Sequence, residues 1–199
     1  TYLVTGAAGF IGSALAQKIL NMGHNVVSVD NLSTGNEFNI PKGVDFIKGD
    51  CQSVGIINKL KNYKFEAIFH IAGQSSGEIS FEDPVYDLQT NTQSTLLLLE
   101  LCKYIGCTKF IYASTMSVYG DHDDLPVTEN DICMPKSFYA VGKLASENYL
   151  KIYSDNYLKT TALRLFNVYG PGQNLTNMKQ GMVSIFLSMA LKNKQIIVK

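Results

Sequence analysis

The opening stretch leaves this chain the fewest choices. An apolar run, Tyr2-Leu3-Val4, meets Thr5-Gly6-Ala7-Ala8-Gly9-Phe10-Ile11-Gly12, and apolar residues return at Phe10, Ile11, Ala14, Leu15, Ile19 and Leu20. That spacing reads as a buried strand, a tight turn and a helix opening at about Gly9. Gly6 can take backbone angles closed to other residues, Gly9 lets a diphosphate approach the backbone, and Gly12 lets the helix lie close on the strand. The helix N-terminus then aims N–H groups and a partial positive charge at the phosphates. A glycine triplet alone also fits a plain turn. What argues for more is a second apolar run, Asn25-Val26-Val27-Ser28-Val29, ending in Asp30. A carboxylate about 20 residues past the glycines accepts hydrogen bonds from an adenosine ribose. An acid there disfavours a 2′-phosphate, so the expected cofactor is NAD rather than NADP.

The remaining chain repeats the strand–helix alternation. Strands are expected over 44–50, 67–73, 109–114 and 160–166, and a short one over 195–198. Helices are expected over 56–60, from Asp83-Pro84 to Tyr104, over 137–156 and over 181–191. Pro84 suits a helix's first turn. The alternation implies an α/β fold, a Rossmann-type doubly wound parallel sheet with right-handed crossovers. The run Thr95-Leu96-Leu97-Leu98-Leu99-Glu100-Leu101-Cys102 is apolar nearly all round, whereas a helix on a sheet needs one apolar stripe. Part of it is expected in a subunit contact; deep packing within one chain is the alternative.

The formal charge is zero, with 17 basic and 17 acidic residues among 199. Nothing calls for nucleic acid or an anionic membrane as partner. Apolar stretches fall short of a membrane span, and no signal peptide precedes the first strand, so a cytoplasmic location is expected. Cys51, Cys102, Cys107 and Cys133 lack metal-type spacing and read as reduced thiols. The acids Asp121, Asp123 and Asp124 read as a solvated loop, so no metal is expected. His70 reads as structural.

Tyr139-Ala140-Val141-Gly142-Lys143 carries the second signal. Tyrosine and lysine four apart share one helix face. An ammonium near a phenol stabilises phenolate and lowers the pKa from about 10. Such a phenol can exchange protons with a sugar or alcohol hydroxyl. Alone, the pair also fits helix-surface packing. Downstream of the glycine turn, and after a strand ending in Ser114-Thr115, it reads as a proton-transfer site in which Thr115 supplies a short hydroxyl.

Taken in order, these pieces resemble the extended short-chain dehydrogenase/reductases of the NAD-dependent sugar epimerase/dehydratase group. The resemblance is carried by the glycine turn, Asp30-Asn31, Gly49-Asp50, His70-Ile71-Ala72-Gly73-Gln74, and Asn91 with Thr95. It continues through Ser114-Thr115, Val118-Tyr119-Gly120, Tyr139 with Lys143, and Arg164-Leu165-Phe166-Asn167-Val168-Tyr169-Gly170-Pro171-Gly172. It implies that Gly6, Gly9, Phe10, Ile11 and Gly12 hold the diphosphate of NAD. Asp30 holds the adenosine ribose, with Asn31, Leu32, Ser33, Thr34 and Gly35 around it. Asp50 and Cys51 flank the adenine. Ile71, Ala72, Gly73 and Ser75 line the cofactor channel; Asn91 and Ser114 border it, and Phe166 sits by the nicotinamide. Thr115, Tyr139 and Lys143 form the catalytic set, Tyr139 and Lys143 also touching the cofactor. Thr115, Tyr139 and Asn167 touch the sugar nucleotide. A homodimer through the helices around Leu96, Leu101 and residues 139–153 is implied too.

Members of this group first oxidise the sugar at C4 and then diverge. Dehydratases follow the threonine with Asp-Glu, where this chain has Met116-Ser117. Neither residue can serve as a carboxyl acid or base. Decarboxylases often carry glutamate at the second position, and Ser117 differs. Epimerisation of a UDP-sugar at C4 is therefore the expected reaction. Decarboxylation or 4,6-dehydration, and a non-catalytic NAD-sensing protein, are the alternatives. Two parts are expected: residues 1–166 as the NAD-binding domain and 167–199 as the start of a substrate-binding lobe, most of it absent because family members run further.

Overall fold

The computed structural model describes residues 1–122, 125–174, 181–192 and 195. Six strands, β1 (Tyr2–Thr5), β2 (Val26–Asp30), β3 (Val44–Lys48), β4 (Ala67–His70), β5 (Lys109–Thr115) and β6 (Lys159–Leu165), form one parallel sheet ordered β3-β2-β1-β4-β5-β6. The order reverses between β1 and β4. In open α/β sheets that switch point, at the strands' C-terminal ends, is where ligands bind.

Side-chain alternation along β1 explains the layering. Leu3 joins a core with Val27, Ile57, Leu60, Ile68, Leu98, Phe110 and Leu150. Val4 points the other way, to Ala7, Ala16, Ile19 and Val26. The first core lies under α2 (Val54–Leu60), α5 (Ser94–Ile105) and α6 (Phe138–Ser154), the second under α1 (Phe10–Asn21). β2 is buried along its whole length, as a strand covered on both faces should be. The edge strand β6 is mostly exposed.

The long helix expected from Pro84 is one path in three pieces. α4 (Pro84–Leu88) follows α3 (Gly77–Glu82), a helix the sequence pattern did not indicate. Residues Gln89–Gln93 then make a π-helical turn, and α5 completes the run. Asp83 caps α4 through its side chain, and Gly106, in the left-handed region at φ +71°, ends α5. Leu98, Leu99, Leu101 and Cys102 are at most 1% exposed within the single chain, packed between α2, α5, α6 and β5. Leu96 and Leu97 of the same run are half-buried, and Tyr104 is 70% exposed. α7 (Met182–Leu191) matches the expected helix. The strand expected over 195–198, and Asp123 and Asp124, lie outside the described residues apart from Gln195.

Candidate active site

The glycine turn is built on contacts that admit no side chain. Gly6 lies at φ +79°, and a Cβ there would meet the Ala72 nitrogen at 2.9 Å. A Cβ on Gly12 would sit 2.1 Å from the Gly6 carbonyl oxygen, which is backbone and cannot move aside. α1 starts at Phe10 with Gly9 as N-cap, no side-chain cap and no acid in its first turn. Its first N–H groups are therefore left for an external acceptor.

Asp30 ends β2 beside this turn. Its carboxylate accepts from the Ala8 N–H at 3.0 Å and the Leu32 N–H at 2.8 Å. Two bonds leave lone pairs for ribose hydroxyls. The following loop is stitched to the turn: Asn36 N–H and Asn39 Nδ2 both donate to the Ala8 carbonyl at 3.0 Å. A Cβ on Gly35 would meet the Ala8 Cβ at 2.7 Å. Asn31 and Leu32 are half-buried, and Ser33 and Thr34 are exposed in this loop. Asp50 accepts from Asn31 Nδ2 at 3.0 Å and from Gln52. Cys51 turns its thiol into the core, where burial pushes the pKa up, so only its backbone faces the edge.

At the end of β4, Thr5 Oγ1 ties the strand ends together, accepting from the Ile71 and Ala72 N–H groups. It also bonds His70 Nδ1 at 2.9 Å. His70 Nε2 lies 3.2 Å from Ser94 Oγ, and burial drives its pKa down to about 3, so it stays neutral as a structural bridge. Gly73 and Ser75 are exposed at this edge. A Cβ on Gly73 would meet Asn91 Oδ1 at 2.4 Å and Lys143 Nζ at 3.4 Å. Gly6 abuts Ala72, and Gly73 abuts Lys143, so the glycine turn and the lysine share one edge of the sheet. Asn91 is fully buried beneath Gly73, its Nδ2 donating to the Gln74 carbonyl and to Asp87.

α6 is capped by Ser137, whose hydroxyl accepts from the Ala140 N–H. Its first turns bring Tyr139 and Lys143 under the strand ends, 8% and 4% exposed. Lys143 Nζ donates to the Ala113 carbonyl at 2.9 Å and lies 4.7 Å from the Tyr112 ring centroid and 5.8 Å from that of Tyr139. The Thr115 hydroxyl pulls the phenol's pKa down and donates to Ser117 Oγ at 3.2 Å. The expected acidic phenol is corrected. Burial pushes the Tyr139 pKa up, against the pull of Thr115, and burial draws Lys143 down to about 8. Desolvation of a neutral pocket outweighs one ammonium at this distance.

At the end of β5, the Ser114 hydroxyl donates to Glu147. Glu147 is paired with Arg164 at 2.8 Å, and Arg164 stacks on Tyr119, its guanidinium carbon 4.7 Å from the ring centroid. Next to Thr115, a depression of about 490 Å³ is lined by Met116, Ser117, Tyr119, Lys136 and Phe166 among others. Asn167 is exposed just beyond Phe166. Sequence reasoning assigned no role to Asp87 or Glu147. The only available signal was an acid at helical spacing from Asn91 in one case and from Lys143 in the other.

A dinucleotide-type glycine turn and a tyrosine–lysine helix on one edge of a parallel sheet define a short-chain dehydrogenase/reductase. The chain belongs to the NAD dependent epimerase/dehydratase family, whose model matches residues 2–199. It is 36% identical to a putative UDP-glucose 4-epimerase of Methanocaldococcus jannaschii over 198 residues, covering 98% of this chain and 65% of that one. It superposes on the UDP-glucose 4-epimerase of Thermotoga maritima, solved with UDP-glucose, at TM-score 0.94 and 36% identity, covering 99% and 65% of the two chains. The UDP-glucose 4-epimerase of Thermus thermophilus, solved with NAD, gives 0.90 at 39% identity, covering 98% and 64%. The chain thus spans about 65% of the length of these relatives. Among the described residues no helix is long and apolar enough to cross a membrane, and no three acids, cysteines or histidines converge on a metal position.

Proposed function

We propose that this protein interconverts the C4 epimers of a UDP-sugar, using NAD. One observation carries the reading: Thr115, Tyr139 and Lys143 stand at the edge that the glycine turn occupies, with Lys143 Nζ against the Gly73 position. The residues fit the cofactor. Gly6, Gly9, Phe10, Ile11 and Gly12 offer an uncapped helix start to a diphosphate, and Asp30 has free lone pairs for a ribose. Asn31, Leu32, Ser33, Thr34, Gly35, Asp50, Cys51, Ile71, Ala72, Gly73, Ser75 and Asn91 complete the channel, Gly73 abutting both Asn91 and Lys143. NAD, when bound, supplies the acceptor for hydride from C4 and returns it to either face of the resulting ketone.

The chain's own residues move the proton. Tyr139 takes the C4 hydroxyl proton and later gives it back, Thr115 sharing that proton in a short hydroxyl bridge. Lys143 holds the nicotinamide ribose and supplies positive charge beside the phenol. Burial pushes Tyr139 up in the protein alone, and the positive charge that an oxidised nicotinamide ring would bring to this edge would favour the phenolate. Phe166 would pack by that ring and Asn167 would meet the nucleotide diphosphate. Met116 and Ser117 supply no acid, which favours epimerisation over loss of water.

Incubating the whole protein with UDP-glucose, UDP-galactose and, separately, UDP-glucuronate, and following the anomeric protons by NMR, tests this. Appearance of the C4 epimer without loss of water or carbon dioxide is expected. A 4-keto-6-deoxy sugar, a pentose, or no turnover with NAD bound would overturn it.

Residues 1–166 are proposed as the cofactor-binding domain and 167–199 as the start of the sugar-binding lobe. A homodimer is proposed through the helices around Leu96–Leu101 and Tyr139–Tyr153, where Tyr104, Val141 and Ile152 are each half exposed or more. The four free thiols suit a cytoplasmic location.

A further inference from the structure

Asp87 is a buried acid that this mechanism leaves unused. It is 1% exposed on α4. Oδ1 accepts from Gln74 Nε2 at 2.8 Å and Asn91 Nδ2 at 3.1 Å. Oδ2 is buried with no hydrogen-bond partner. A Cβ built on Gly142 would sit 3.6 Å from Oδ2. The free oxygen therefore lies against α6 between the turns that carry Tyr139 and Lys143. A carboxylate that gives up water without a partner is costly unless a charge answers it. The buried ammonium of Lys143 has the complementary need, since its one hydrogen bond goes to a neutral carbonyl.

We propose that Asp87 is a positioning residue: held by Gln74 and Asn91 against Gly142, its carboxylate is the countercharge that keeps Lys143 an ammonium beside Tyr139. The π-helical turn at Gln89–Gln93 serves this arrangement by setting Asn91 beside Asp87, with Thr92 Oγ1 bonded to the Gly142 carbonyl at 3.2 Å. Gly142 is needed for the approach, because a Cβ there would also meet Thr92 Oγ1 at 2.9 Å.

Burial raises the pKa of Asp87 itself while Gln74, Asn91 and Lys143 hold it down, and among the described residues the surrounding groups offer no other countercharge. From β5, Tyr112 faces Lys143 with a phenol pushed up by burial. From β4, His70 is neutral. On α6, Glu147 is spent on Arg164 and Ser114. Glu78 and Glu82 of α3 are exposed, and residues 89–93 carry no charge. Burial draws Lys143 down to about 8 while Asp87 holds it up. Asp87 also raises Tyr139. Removing the negative charge should therefore lower both groups together.

The test uses the whole protein and rests on the epimerase reading only in its first arm. In Asp87→Asn the pH profile of kcat/KM should move bodily to lower pH, both limbs falling by about 1 unit. A purely structural role would lower the profile without moving it. The second arm needs no turnover: ¹⁵N titration of Lys143 Nζ, assigned with Lys143→Arg, should show its midpoint falling by a similar amount. An unmoved midpoint in folded Asp87→Asn overturns the proposal, whatever happens to activity. If the variant does not fold, ¹³C titration of Asp87 in the unaltered protein decides. An ionised carboxylate at pH 7 supports the countercharge role and a neutral one ends it. Shifted midpoints without epimerisation would keep the Asp87 inference and remove the epimerase reading.

Discussion

Replacing Glu147 by alanine should loosen the helix that presents Tyr139. Glu147 lies midway along α6, 4% exposed, and accepts three hydrogen bonds from Arg164 at 2.8–3.2 Å and one from Ser114. It joins α6 to β5 and β6 at one point. Removing one partner of a buried ion pair costs about 3–5 kcal/mol. The lower end applies here, because the Arg164 side chain is 15% exposed and keeps the Tyr119 ring and the Glu129 carbonyl. The stranded Ser114 hydroxyl adds about 1 kcal/mol or more. At about 2–4 °C per kcal/mol for a chain of this size, Tm should fall by about 8–16 °C. Glu147→Gln, which keeps an acceptor, should lose less. Thermal unfolding of both variants, with an Arg164→Ala double-mutant cycle, provides the assay. A fall of under 1 kcal/mol for Glu147→Ala, or coupling near zero, would refute the clamp.

Two further outcomes follow from the same geometry. Gly12→Ala places a Cβ against the Gly6 backbone, so it should destabilise by about 1–3 kcal/mol and weaken NAD binding at least about tenfold, read by calorimetry. His70 has a folded pKa depressed from 6.5 to about 3, so the unfolded chain binds the extra proton between those values. Stability from this residue is complete above about pH 6.5 and is lost as pH falls, by about 1.4 kcal/mol per unit. Urea unfolding between pH 6 and 4 should show that slope, and His70→Asn should lose it relative to the unaltered protein.

The sheet was legible because β1 and β2 are short apolar runs closed by Gly6 and Asp30, and strand-like and helix-like runs alternate after them. Pro84 marks a helix start by local chemistry alone, and the structure places it in the first turn of α4. α3 was not legible. Its six residues carry no period long enough to read, and Ser76 caps it through a hydrogen bond that spacing alone does not single out. The π-helical turn was hidden for a related reason: Gln-Thr-Asn-Thr-Gln is polar, and its buried residues Thr90, Asn91 and Thr92 are received in part by Asp87, Gly142 and Ser146.

The site shows where one-dimensional spacing stops. Tyrosine and lysine four apart correctly predicted a shared face, yet the sign of the phenol's shift came out reversed. Spacing counts one Coulombic neighbour and omits the solvent. In the folded chain, burial acts on both groups at once, raising the phenol and lowering the ammonium, and Asp87 then raises both. The protein alone thus holds a protonated Tyr139 next to a Lys143 that titrates near neutral pH. Asp87 is a charge that acts on both members of the pair, which neither the tyrosine–lysine spacing nor the glycine turn reveals.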